Sequence, residues 1–117
     1  MDFSPELQQE FGQFQQLQEQ YQMFSTQRAQ MELQLKEFEG TIEKLTGIED
    51  PTDLYQTIGS VMVKVSSKDK LLEDLAEKVE TITRRVGSMK QQEDRLKTRL
   101  ESMGKELNEK IKNSGLM

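Results

Sequence analysis

From Phe14 onward the apolar residues return at alternating steps of three and four, the spacing that gives a helix one continuous apolar seam. Phe14, Tyr21, Leu35 and Ile42 form one row, and Leu17, Phe24, Met31, Phe38 and Leu45 the other, with Arg28 interrupting the first. A second such seam follows later, with rows Leu72, Val79, Val86, Leu100, Leu107 and Leu75, Ile82, Met89, Leu96, Met103, interrupted by Glu93 and Lys110. Between them, over residues 54–65, the period drops to two, the spacing of a strand whose side chains alternate between faces. Gly59-Ser60 divides that stretch and suits a two-residue type II′ turn, because Gly accepts a positive φ at the first turn position. The pattern predicts a mainly α fold: helix, small β-hairpin, helix.

Punctuation residues place the boundaries. Ser4-Pro5-Glu6 is a helix start, with a capping hydroxyl, a pre-set φ and a carboxylate at the positive end of the dipole. Thr46-Gly47 ends the first run, with Gly expected in a left-handed conformation, and Asp50-Pro51 prevents its resumption. Ser66 or Ser67 can cap the second helix. A single domain spanning 1–117 is expected, with a first helix at about 5–46, loop and hairpin at 47–66, a second helix at 67–113 and a tail at 114–117. A helix of about 40 residues runs about 60 Å, and two such helices with matching seams should fold back as an antiparallel coiled coil.

Pairing Leu45 with Leu72 and walking outward tests that register. Ile42 then meets Leu75, Phe38 meets Val79, Leu35 meets Ile82, and the alternation holds without a stutter to Leu17 with Leu100 and Phe14 with Met103. The interruptions Arg28 and Glu93 fall in adjacent layers, so they either pair across the seam and set the register or each reach out to water. In the hairpin, Ile58 should face Val61, Gln56 face Val63 and Leu54 face Val65. Leu54, Ile58, Val61, Val63 and Val65 then share one side. A lone two-stranded hairpin is marginal in water. Its apolar side predicts assembly by strand addition or barrel closure, unless that side folds down over the coil end. Beyond Phe14 and Met103 the seam loosens, leaving Phe3, Leu7, Phe11, Leu107, Ile111, Leu116 and Met117 as apolar groups near both termini, either a frayed coil end or a binding surface.

Composition narrows the function. With 33% hydrophobic and 32% charged residues and no Trp, the chain is too lean for a large globular core but sufficient for one stripe per helix. The Gln residues crowded between Gln8 and Gln34 lie outside both rows and read as a solvated helix face. A net charge of -5 argues against nucleic acid and anionic membrane surfaces as partners, and no apolar run approaches a membrane span. A soluble cytoplasmic protein is therefore expected. With neither Cys nor His, no phosphate-cradling glycine loop and no calcium-loop spacing, no catalytic constellation, metal site or cofactor site is expected, and the chain should not be an enzyme.

Three stretches together resemble one family: Phe11-Gly12-Gln13-Phe14-Gln15-Gln16-Leu17-Gln18, the hairpin Leu54-Tyr55-Gln56-Thr57-Ile58-Gly59-Ser60-Val61-Met62-Val63-Lys64-Val65, and Arg84 through Leu100 of the second arm, including Gln92-Glu93-Asp94-Arg95-Leu96. The chain looks like a prefoldin β subunit of the archaeal type, with one hairpin where the α type carries two. That resemblance implies a hexamer of two α and four β subunits, whose hairpins build a β-barrel platform from which the coils project. It further implies an ATP-independent holdase that captures unfolded proteins at the coil tips and passes them to a group II chaperonin. Leu54, Ile58, Gly59, Val61, Val63 and Val65 would then serve assembly, and the apolar residues at the two chain ends would meet client. The rival from another class is a structural coiled-coil adaptor.

Overall fold

The computed structural model describes residues 4–49 and 53–113. Its elements run α1 (Pro5–Thr46), β1 (Tyr55–Ile58), β2 (Val61–Lys64) and α2 (Lys68–Asn113). The chain forms two units, one of Met1–Ala29 with Gly87–Met117 and one of Gln30–Val86.

Each helix begins where its cap can be satisfied. The Ser4 hydroxyl accepts from the Leu7 amide at 3.2 Å, and the Ser4 carbonyl accepts from Gln8 at 3.0 Å. At α2 it is Ser67 rather than Ser66 that caps, accepting the Lys70 amide on its hydroxyl at 3.2 Å and the Leu71 amide on its carbonyl. The end of α1 departs from expectation. Gly59 is the only described residue with positive φ, so Gly47 does not take the left-handed conformation. Instead the last turn tightens: the Ile48 amide donates to the Leu45 carbonyl three residues back, at 3.2 Å, and thereby meets part of the need a left-handed cap would otherwise serve. Asp50 and Pro51, expected to block resumption of the helix, lie outside the described residues.

In the unit of Gln30–Val86, an α1 segment lies against an α2 segment in opposite sense. The Lys78 ammonium sits 5.6 Å from the centre of the Phe38 ring, and the Lys68 ammonium donates to the Ile48 carbonyl, clipping the loop after α1 to the first turn of α2. Leu75 and Ile82 are the most buried apolar residues there. In the other unit the same antiparallel sense is given by Phe14 against Gly104, Arg28 against Glu93 and Glu10 against Lys110. Leu7, Leu17 and Leu107 are its most buried apolar side chains, at 5–7% exposure. No described side chain falls below 2% exposure, as a core only two helices thick requires. The seam extends past its expected limits: Leu7 and Leu107 are as well covered as anything nearer the middle of either helix.

Candidate functional site

Two surfaces concern function: the hairpin and the far ends of the helices. The hairpin has the expected register, Tyr55 with Lys64, Gln56 with Val63, Thr57 with Met62 and Ile58 with Val61. One further bond, Val65 amide to Leu54 carbonyl at 2.8 Å, extends the ladder by a pair. Gly59 has φ +60° while Ser60 is not in the positive region, which is the type II′ arrangement and not type I′. Strand alternation then places Ile58, Gln56, Val61 and Val63 on one face with Leu54 and Val65 at its base, and Tyr55, Thr57, Met62 and Lys64 on the other.

Neither face is covered. Ile58 is 60% exposed, Val61 58% and Val63 43%, with Tyr55 and Met62 equally open on the opposite face; only Leu54 and Val65, at the base, are half-buried. The apolar side therefore does not fold down onto the helices. Among the described residues the sheet has two strands, so both outer strand edges lack a partner there. Lys64 and Asp53 form an exposed ion pair at 3.5 Å beside the base of the hairpin.

The helix ends are arranged differently from a loose coil. Leu7 and Leu107 are buried, Phe11 and Ile111 half-buried, and Lys110 bonds to the Glu10 carboxylate across the two helices. Glu10 holds the Lys110 ammonium above its usual 10.5. Of the apolar groups expected at this end, Phe3, Leu116 and Met117 lie outside the described residues. A small pocket of about 190 Å³, lined by Ser4, Glu6, Leu7, Glu10 and Lys110, opens beside the pair.

Within the unit that holds the helix ends, a polar layer interrupts the seam. Arg28 donates through Nε to one Glu93 oxygen and through Nη2 to the other at 3.1 Å, while the Ser25 hydroxyl donates to Glu93 as well. Glu93 is the one buried charged residue among those described, at 6% exposure. Its carboxyl is held below the usual 4.5, first by the Arg28 hydrogen bonds, then by Ser25, against a desolvation that pushes the other way. Ser25 was not singled out from the sequence; it flanks the Phe24 row position, and only a helix laid against it shows that its hydroxyl reaches the partner seam.

Among the described residues no group of three or more acidic residues is placed to hold a metal ion, and no helix is long and apolar enough to cross a membrane. Among the described residues, the chain presents antiparallel helical segments and an open hairpin, apolar on one face and without a third strand. A family model described as prefoldin subunit matches residues 8–114, and the chain belongs to that family of chaperone components. It is 35% identical over 102 residues to the prefoldin subunit beta of Thermoplasma volcanium, covering 87% of this chain and 82% of that one. The Archaeoglobus fulgidus prefoldin subunit beta is 37% identical over 98 residues, 84% of either chain. The crystal structure of the prefoldin beta subunit from Thermococcus strain KS-1 superposes with a TM-score of 0.83 at 27% identity, over 94% of this chain and 96% of that one.

Proposed function

We propose that this chain is the β-type subunit of an ATP-independent holdase, assembling through its hairpin and engaging non-native proteins at the ends of its helices. The observation that carries the reading is the open hairpin. Ile58, Val61 and Val63 stand exposed on one face while the seam residues are covered, and among the described residues two free strand edges flank them. Such a surface on a soluble chain is completed by other hairpins, which supply both apolar cover and edge hydrogen bonds. Read as a β-type subunit of the prefoldin family, the chain closes into a barrel with an α-type partner, in a hexamer of two α and four β chains, in the cytoplasm and with no enzymatic step. Leu54, Ile58, Gly59, Val61, Val63 and Val65 form the assembly element.

Client contact falls to the helix ends, where Phe11 and Ile111 are partly accessible and Leu7 and Leu107 are buried; Phe3, Leu116 and Met117 belong to the same group. Delivery to a group II chaperonin completes the proposed role. The test is dilution of a denatured client into this chain together with an α-type partner, followed by light scattering. Suppressed aggregation without nucleotide is expected. A stable assembly that leaves aggregation unchanged indicates a structural adaptor and overturns the proposal.

A further inference from the structure

We infer that the two ion pairs of the helix seam, Arg28 with Glu93 and Glu10 with Lys110, act together as a register lock that admits one alignment of α1 on α2. The pairs cross the seam in the same direction and have opposite polarity. In each, the α1 and α2 residues occupy adjacent layers of the seam, offset in the same direction; one pair has its cation on α1, the other on α2. Everything else in the seam is nearly degenerate: leucine, isoleucine, valine, methionine and phenylalanine repeat at three-four spacing and would interdigitate almost as well after a slip of one heptad.

A slip of seven residues breaks both pairs at once. Arg28 would then face Val86 or Leu100, and Glu93 would face Tyr21 or Leu35. Glu93 has the most to lose, because its carboxylate is covered and takes hydrogen bonds from Arg28 twice and from Ser25. Uncoupling a covered charge from its partner disfavours the slipped state by roughly thirtyfold. The reversed polarity adds discrimination, since any cross-match sets Arg28 against Lys110 or Glu10 against Glu93, like charge against like. A buried ion pair contributes little stability relative to apolar side chains of similar volume, so specifying alignment is the role these residues are suited to. The Glu10–Lys110 pair is exposed and secondary. The competing account is that the loop and hairpin, clipped by Lys68 to Ile48, set the register alone.

The chain has no cysteine, so a spin-label pair can be placed at will. Labels on Gln20→Cys and Lys97→Cys, both exposed, report alignment in the full chain by pulsed electron–electron distance measurement. With the seam intact a single narrow distance is expected. With Arg28→Leu, Glu93→Leu, Glu10→Leu and Lys110→Leu combined, a second population is expected at a tenth or more of the total, although the chain unfolds no earlier on heating. Reversing one pair, Arg28→Glu with Glu93→Arg, should restore the single distance, whereas Arg28→Glu alone should broaden it. A single unchanged distance in both the four-leucine variant and Arg28→Glu would overturn the lock and leave register to the connection. The outcome does not depend on the chaperone role.

Discussion

Removing the Arg28 side chain without touching Glu93 should damage the helical pair more than removing Glu93 itself. In Arg28→Leu the carboxylate of Glu93 keeps the Ser25 hydroxyl but loses the guanidinium fork, and its side chain is only 7% exposed. Breaking a buried pair in this way typically costs about 3–5 kcal/mol. The lower end, or somewhat less, applies here: the carboxylate is covered by neighbouring side chains but not sunk deep, because a two-helix layer leaves water a few ångströms away. About 2 kcal/mol is expected, or roughly 6–12 °C in the unfolding midpoint. Glu93→Leu should cost less, about 1 kcal/mol or under, since Arg28 is already 25% exposed and can turn to water. The double replacement Arg28→Leu with Glu93→Leu should be neutral or stabilising. The assay is urea and thermal unfolding followed by circular dichroism, at one fixed chain concentration because assembly shifts the apparent midpoint. If Arg28→Leu costs no more than Glu93→Leu, the carboxylate is not held as described and the reasoning fails. The pH dependence follows from the same contacts. Glu93 is depressed below 4.5 in the folded chain, so its contribution is fully present above that value and is lost as pH falls through the lower folded value. Glu93→Gln should flatten that portion of the acid stability curve, and an unaltered slope would argue against the linkage.

Three other outcomes test the remaining surfaces. Val61→Glu with Val63→Glu should abolish higher assembly, read by sedimentation, while helical dichroism is retained; persistence of the full oligomer would refute the hairpin as the assembly element. Gly59→Val should weaken the hairpin by about 1–2 kcal/mol through its positive φ alone, because nothing stands within 4 Å of the added Cβ, and assembly titrations should shift accordingly. Phe11→Ser with Ile111→Ser should reduce suppression of client aggregation several-fold without changing oligomer size, and undiminished suppression would move client contact elsewhere on the molecule.

The heptad rows, the helix limits near Pro5, Thr46 and Asn113, and the hairpin register were all legible because each rests on local chemistry. Side-chain spacing fixes which face is apolar, a serine placed before a helix can cap it, and a Gly-X pair between alternating runs allows few turns. The Gly47 conformation was not legible, since a helix can end by left-handed capping or by a tightened last turn, and the choice depends on what the following loop bonds to. The closure of the helix ends was not legible for a related reason. Glu10 and Lys110 look like defects in their own rows, and only when the two helices lie together do they become a pair that leaves Leu7 and Leu107 covered.

Periodicity is a property of one helix at a time, so the chain's own residues were enough to define two seams, a bend and an apolar hairpin. Contacts between residues 65 and 100 positions apart are a different matter. Arg28 and Glu93 could equally have turned to solvent, and Ser25 carries no signal of its own. Their convergence on one covered carboxylate exists only after the helices are aligned, because distance and shielding from water, which set the strength of a charge pair, are properties of the packed molecule.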